Sequence, residues 1–224
     1  EKVGYSVVTN FVELSKRMNF EEKWVDAFLE SMEMDTKKSS YKNLDELNKY
    51  LYGSAEVIGL MMNRVMNIGE EADDSAQYLG KAMQFINFIR DIDEDLDLNR
   101  TYFPKDSMAK FGLTGLTRGE ARRKPEEFKA FIRSQIKVYF KWQMKAELGL
   151  RYIPRRRRVA VKTASDMYLW TATEIYKNPF IVYDTQIKPT WHKVLLNGVK
   201  NLFTVYLSFG NSARKLPQVI TSHQ

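Results

Sequence analysis

Residues 84–95 read QFINFIRDIDED, a stretch that combines an apolar helical pattern with a dense group of acids. Its apolar side chains recur at spacings that fit an α-helix, while Asp91, Asp93, Glu94 and Asp95 crowd its end. Neighbouring carboxylates repel one another and lose hydration on burial, so they are stable only when they are solvated or when a cation neutralises them. The stretch therefore predicts either a solvated helix end or a cation site.

A polar stripe along this segment favours the cation site. On one continuous helix, side chains at steps of three, four and four point the same way. These side chains are Gln84, Asn87, Asp91 and Asp95. The other faces are apolar, which is typical of a buried helix, so the stripe is expected to face an internal cavity. In the alternative, the acids end a helix at the surface, where Arg90 and Arg100 compensate their unfavourable interaction with the helix dipole.

The composition limits the ligands that could hold such a cation. The chain has 224 residues, no cysteine and only two histidines, so oxygen ligands are expected, and these suit Mg²⁺ or Mn²⁺. With 44% hydrophobic and 28% charged residues the chain has a globular composition. We predict a single domain over residues 1–224, with a basic tail from about residue 210.

The charge distribution indicates an anionic partner. The net charge is +7, residues 186–224 contain no acid, and residues 155–158 read RRRR. The basic residues of that last segment are Lys188, Lys193, Lys200, Arg214 and Lys215. Phosphorylated metabolites and acidic lipids are the candidates, whereas nucleic acid is disfavoured because no base-stacking motif accompanies the charge. A solvated basic surface is the simpler alternative.

Helical periodicity dominates the whole chain, and no comparable alternating pattern predicts a sheet. Apolar spacings of three and four recur in the segments 20–34, 44–66, 75–96, 125–150, 159–176 and 190–205. Asn43 with Glu46 three residues later is typical of a helix start. The sequence therefore predicts an all-α fold.

A second notable segment is YLYGSAEVIGLMM, at residues 50–62. Gly53 and Gly59 lie inside a predicted helix, where each glycine costs about 1 kcal/mol relative to alanine. Something is therefore expected to approach this helix closely. It is either another helix or a long apolar ligand.

These segments, together with NRTYFPKD at residues 99–106, carry a family resemblance. In the chain order 50–62, 84–95 and 99–106, within residues 34–106, they resemble the squalene and phytoene synthases, the head-to-head trans-prenyl transferases. Looser similarity extends to about Tyr183. The resemblance implies an isoprenoid-synthase-type helical bundle around a central apolar cavity, with Mg²⁺ held between two aspartate-rich motifs.

The resemblance also assigns roles to individual residues. Asn87, Asp91 and Asp95 match the metal ligands of the second motif, and Asp91, Asp95 and Tyr168 are the implied catalytic residues. The implied substrate-binding residues are Tyr50, Ala55, Ile58, Gly59, Gln84, Arg90, Arg100 and Tyr102.

Three features depart from the family pattern. Glu56 stands where glycine is most frequent, and its carboxylate should turn outward or pair with a cation. Asn99 also occupies a position where glycine is frequent. The first D-x-x-x-D motif is absent, so we predict that the chain is N-terminally truncated, beginning after that motif, and that alone it has little synthase activity.

The resemblance implies the condensation of two geranylgeranyl diphosphates to phytoene through a cyclopropyl intermediate, with loss of diphosphate. One alternative is a squalene synthase that uses farnesyl diphosphate and NADPH, and another is a non-catalytic relative that serves as a binding or assembly module. A cytoplasmic location is expected, with peripheral membrane attachment as an open alternative. The sequence leaves the oligomeric state open.

Overall fold

The computed structural model describes residues 2–184 and 187–207, and within these ranges it is helical, with one isolated backbone bridge between Ser40 and Thr101. The predicted all-α class is confirmed. The helices are α1 (Lys2–Met18), α2 (Glu22–Lys37), α3 (Leu44–Leu51), α4 (Val57–Val65), α5 (Asp73–Arg90), α6 (Ile92–Asp97), α7 (Lys105–Ala109), α8 (Arg118–Arg123), α9 (Pro125–Glu147), α10 (Arg155–Lys177) and α11 (Trp191–Leu207).

Helix α5 lies at the centre of the main core because it is apolar on most of its surface. Phe85, Ile86 and Ile89 of α5 are buried against α9, which contributes Phe131 and Tyr139. Helices α3 and α10 also contribute residues to this core. Gln84 and Asn87 of the polar stripe therefore lie on the central helix of the main core, and Asp91 and Asp95 follow at its end.

The predicted helical segments are all present, with differences at their ends and interiors. The Asn43 side chain accepts a hydrogen bond from the Glu46 amide at 3.0 Å, as predicted for the start of α3. The segment predicted at 75–96 is divided at Asp91 (φ −98°, ψ 19°), where α5 ends and α6 follows. Helix α1 was not predicted.

The segment 44–65 contains a π-helical turn at Tyr52–Glu56 between α3 and α4. The two glycines noted in the sequence lie in or next to this turn, and both meet neighbouring backbone. A Cβ on Gly53 would lie 2.0 Å from the carbonyl oxygen of Ala27, and one on Gly59 would lie 2.2 Å from that of Ala76. Close helix packing is thus the reason for both glycines in this structure.

Glu56, the departure from the family pattern, forms an ion pair at the same contact. Its carboxylate lies 2.8 Å from the ammonium group of Lys81 on α5, and both side chains are largely buried. The Lys81 ammonium also lies 4.8 Å from the centre of the Trp142 ring on α9. The expected pairing with a cation is therefore found.

Candidate functional site

The two helices α5 and α6 place the acidic motif at one end of the main core. The backbone amide of Asp91 donates to the carbonyl of Asn87 at 2.8 Å, and the amide of Asp95 donates to that of Asp91 at 2.8 Å. The hydrogen-bonded turns therefore continue through the break at Asp91. This keeps Asn87, Asp91 and Asp95 at one-turn intervals along the joint between the helices.

Asp91 is held by its neighbour in sequence. Both carboxylate oxygens accept hydrogen bonds from the Arg90 guanidinium, at 2.7 and 2.6 Å. These bonds are the main cause of a raised pKa of Arg90, to which the nearby Tyr168 also contributes. Tyr168 is thus brought close to Arg90, which holds Asp91, from a distant part of the chain.

Asp95 lies in an environment that disfavours its charged form. Burial, followed by the negative charge of Asp91, raises its pKa to about 7, although Arg100 opposes the shift. Glu94 and Asp35 add to the repulsion. A carboxyl group with this surplus of negative neighbours is stabilised by any cation that binds beside it.

Asn87 carries a buried amide oxygen with no hydrogen-bond partner among the described residues. Such an orphaned acceptor costs free energy unless a donor or a cation satisfies it. Within residues 2–184 and 187–207, no three side chains of His, Cys, Asp or Glu come together to hold a metal. The free oxygen of Asn87 and the raised pKa of Asp95 nevertheless fit the implied Mg²⁺, which prefers oxygen ligands and retains several waters.

An aromatic cluster lies against the acids, formed by Tyr41, Tyr50, Phe88 and Tyr102. The rings of Phe88 and Tyr102 stack with centres 4.0 Å apart, and Tyr50 lies 5.6 Å from both Tyr41 and Tyr102. All four side chains are almost fully buried. Burial is also the main cause of the raised pKa values of Tyr50 and Tyr102, which keep both phenols neutral.

Asp35 joins the aromatic cluster to the acids, and sequence reasoning missed it. Its carboxylate accepts hydrogen bonds from the hydroxyl of Tyr50 at 2.9 Å and of Tyr102 at 3.5 Å. The Arg100 guanidinium donates to its backbone carbonyl at 3.1 Å. The only signal in the sequence was its place at the start of the segment that carries the resemblance.

The loop after α6 brings Arg100 and Tyr102 back to the site. Asn99 adopts φ 55°, in the left-handed region that glycine and asparagine tolerate best. The Arg100 amide then donates to the Asp95 carbonyl at 2.8 Å, and the Thr101 amide donates to the Ser39 carbonyl at 2.8 Å. The second departure from the family pattern is thus explained, because asparagine can supply the turn that glycine commonly supplies.

The remaining predicted substrate-binding residues lie in different surroundings. Ala55 is buried where its carbonyl faces Gly80 of α5, and Gly59 faces Ala76 of the same helix. Ile58 is 38% exposed, and Gln84 is half-buried. Beside the acids, a cavity of about 10 Å³ is lined by residues that include Phe88, Asp95, Arg100 and Tyr102.

Two groups of comparisons define the class of the protein. The sequence model of the family described as Squalene/phytoene synthase matches residues 3–194, so the chain belongs to this family. Its relatives include the chloroplastic phytoene synthase of an Oncidium hybrid cultivar, 32% identical over 82% of this chain and 44% of the relative. Phytoene synthase of Arthrospira platensis is 32% identical over 72% of this chain and 57% of the relative.

Solved structures confirm the predicted fold. A dehydrosqualene synthase in complex with a ligand superposes with a TM-score of 0.69 at 20% identity, covering 82% of this chain and 65% of that one. Squalene synthase HpnC from Alicyclobacillus acidocaldarius gives a TM-score of 0.67, also at 20% identity, covering 74% and 63%. The chain spans about half the length of the curated relatives it matches.

Proposed function

We propose that the protein condenses two prenyl diphosphates head to head with loss of diphosphate, and that the substrate is geranylgeranyl diphosphate and the product phytoene. The observation that carries this proposal is the contact between a buried aromatic cluster and a group of carboxylates whose charge Arg90 and Arg100 offset only in part, joined through Asp35. Ionisation of an allylic diphosphate separates a carbocation from a strongly anionic leaving group. The carboxylates and arginines suit the diphosphate once a metal is bound, and the aromatic cluster suits the carbocation.

On the anionic side, Asn87, Asp91 and Asp95 are the residues that would hold Mg²⁺, the implied cofactor, with Mn²⁺ as a substitute. The bound metal would neutralise charge on the departing diphosphate. Arg90 and Arg100 add positive charge at the same end of the helices. Because Arg90 holds both oxygens of Asp91, it also fixes the direction in which that carboxylate can act.

On the cationic side, aromatic faces can stabilise a carbocation without reacting with it, and a buried surface excludes water that would quench it. Tyr50 and Tyr102 hydrogen-bond Asp35, which fixes the orientation of their rings. Tyr168 is far from the acids in sequence, but it lies near Arg90 in space. We assign Tyr168 to the reacting region on this ground.

Phytoene is preferred to squalene because the relatives above 30% identity are phytoene synthases, while the solved squalene and dehydrosqualene synthases are 20% identical. NADPH would be required only in the squalene alternative. A non-catalytic module is disfavoured because the orphaned Asn87 oxygen and the strained Asp95 carboxyl reduce stability without serving packing.

Calorimetric titration with an unreactive thio-linked analogue of geranylgeranyl diphosphate tests the site. We expect binding that requires Mg²⁺ and is lost in the double variant Asp91→Asn/Asp95→Asn. The matched control is Asp97→Asn, which alters an exposed carboxylate on the same helix and should bind normally. Equal binding with and without Mg²⁺ would count against the metal site.

A turnover assay with Mg²⁺ distinguishes between the two candidate substrates, geranylgeranyl diphosphate and farnesyl diphosphate. The rate should be low, because the chain has no first D-x-x-x-D motif, but the product from geranylgeranyl diphosphate should be phytoene, and farnesyl diphosphate with NADPH should give less squalene. Preferential squalene formation would support the alternative substrate. Metal-dependent analogue binding without any product would instead support the binding module.

A further inference from the structure

Tyr168 is the one residue of the proposed site that α10 contributes, whereas the acids lie on α5 and α6. Tyr168 therefore reaches the site only if α10 has a fixed position along the bundle. The contacts of Ala172 and Ile175 with the main core are apolar and have no preferred direction, so they allow one helix to slide along another. A directional contact is needed to fix the position.

Such a contact lies one turn before Tyr168. The side-chain amide of Gln143 on α9 donates a hydrogen bond to the hydroxyl oxygen of Ser165 on α10. Gln143 also accepts from the Tyr139 hydroxyl at 3.3 Å and donates to the Glu147 carboxylate at 3.3 Å. Gln143 and Ser165 are each 1% exposed, and Tyr139 is fully buried. Further contacts could only increase this burial.

The bond between Gln143 and Ser165 is satisfied at one relative position of the two helices. A shift of α10 by one residue moves it about 1.5 Å along its axis and turns its side chains by about 100°. Ser165 would then leave Gln143, and buried polar groups without partners are unfavourable. An apolar pair of similar size can be nearly as stable, but it does not select one position.

The next residue holds α10 from another side. Asp166 accepts hydrogen bonds from Lys162 at 3.2 Å and from Asn201 of α11 at 2.9 Å. Ser165 and Asp166 thus tie α10 to α9 and to α11 at the same level of the helix. Tyr168 follows within one turn of this level, so its position along the bundle is set by these contacts.

Tyr139 links the buried contact to the proposed site. Burial is the main cause of its raised pKa, and Glu147 and Tyr168 add to the shift. The phenols of Tyr139 and Tyr168 therefore lie within electrostatic reach of each other, and Tyr168 has the same relation to Arg90. The buried contact and the proposed reacting region are thus neighbours on the two sides of Tyr168.

We propose that Gln143 is a positioning residue, which fixes α10 against α9 through Ser165 and thereby holds Tyr168 beside Arg90. The inference rests on the proposed function for the role of Tyr168 in the reaction. The place of Tyr168 in the fold can be measured without any reaction, so the two proposals can fail separately.

Fluorine NMR of protein labelled with 3-fluorotyrosine tests the position of Tyr168. Its signal is identified by its loss in Tyr168→Phe. In Gln143→Met/Ser165→Ala, which replaces the polar contact with apolar groups, we expect this signal to shift or to divide, because α10 then has more than one position available. Gln135→Met is the matched control, since Gln135 of α9 donates to Ser134 of the same helix, and it should leave the signal unchanged.

Turnover of geranylgeranyl diphosphate with Mg²⁺ tests the consequence for the reaction. Gln143→Met/Ser165→Ala should lower kcat by about 10–100-fold with little change in KM, because the displaced group acts on the reacting carbons and not on diphosphate binding. In a Tyr168→Phe background the same change should have little further effect, since Gln143 acts through Tyr168. An equal loss in both backgrounds would make Gln143 merely structural and would overturn the proposal.

Circular dichroism and chemical denaturation accompany both measurements. If the double variant does not fold, Ser165→Ala alone serves, because Gln143 then keeps its bonds to Tyr139 and Glu147. A Tyr168 signal that stays unchanged in the folded variant would overturn the proposal. A parent protein that makes no product would count against the proposed function, and the fluorine spectra would still decide whether Gln143 positions Tyr168.

Discussion

Asp95 is a single residue whose charged form is disfavoured by its surroundings in the folded protein. Its carboxyl group is partly buried beside Asp91, and Glu94 and Asp35 add further negative charge. Arg100 offsets only part of this repulsion, so the pKa of Asp95 rises to about 7. The folded protein therefore holds a proton at this site under conditions where an unfolded chain would release it.

The stability of the metal-free protein should consequently depend on pH through Asp95. Between the unfolded pKa of about 4 and the folded pKa of about 7, the folded state binds more protons than the unfolded state. The contribution of Asp95 to the free energy of unfolding is thus greatest below about pH 4, falls through this range and levels off above pH 7. Urea unfolding in chelator at several pH values should show this decrease, and Asp95→Asn should reduce it.

Asp97→Asn is the matched control for that measurement, because Asp97 is exposed on the same short helix. It should unfold with the same pH dependence as the parent protein. Identical pH profiles for Asp95→Asn and the parent would show that Asp95 is not the group responsible.

At the scale of the elements, the helices that carry the two recognised motifs are in backbone contact. The turn Tyr52–Glu56 and helix α4 lie so close to α5 that a Cβ on Gly59 or Gly80 would come within 2.2 Å of a carbonyl oxygen. The Glu56–Lys81 ion pair bridges the same pair of helices. This contact fixes the position of α5 and hence of the acids at its end.

Gly59→Ala should therefore destabilise the protein, by about 1–3 kcal/mol, because the added methyl group forces α4 away from α5. Gly119→Ala is the control, since Gly119 lies in α8 with its nearest neighbour atom 4.0 Å from the new Cβ. That change should be neutral or stabilise by up to about 1 kcal/mol. Chemical denaturation measures both, and similar stabilities for the two variants would contradict the close packing.

At the scale of the whole molecule, the acidic site and helix α11 are separate features of one bundle. Helix α10 connects them, since Tyr168 lies near Arg90 while Thr163 and Asp166 hold Asn201 of α11. A single helix thus contributes to the proposed reaction centre and anchors α11.

Mg²⁺ together with inorganic diphosphate should stabilise the whole fold, because these ligands bind only the folded state. At about 100 times the dissociation constant the gain is about 2.7 kcal/mol, which for a chain of this size raises the melting temperature by roughly 5–10 °C. Thermal unfolding with both ligands, with each alone and with neither measures the effect.

The double variant Asp91→Asn/Asp95→Asn should show little of this stabilisation, while Asp97→Asn should show all of it. An equal rise in melting temperature for all three proteins would indicate that the ligands bind elsewhere on the basic surface.

The sequence by itself determined the features that depend on short-range spacing. Helical periodicity predicted the all-α class and the placement of Asn87, Asp91 and Asp95 at successive turns. The capping pattern of Asn43 and Glu46 predicted the start of α3. Three ordered motifs indicated the family that the comparisons then confirmed. The roles of the individual site residues, the single domain and the truncation stay predictions, and Arg214 and Lys215 of the basic tail lie outside the described residues.

Only the tertiary structure decided which distant residues share a site. Asp35 meets Tyr50 and Tyr102 across 15 and 67 residues of chain, and no local pattern encodes a contact of that length. From sequence, the two glycines of residues 50–62 fitted either close helix packing or a long apolar ligand. The structure shows the carbonyls of Ala27 and Ala76 beside them, which is close packing. Likewise, the sequence of α11 did not show which side of the helix is buried, and the contact of Asn201 with α10 decided this, because burial is a property of the packed molecule.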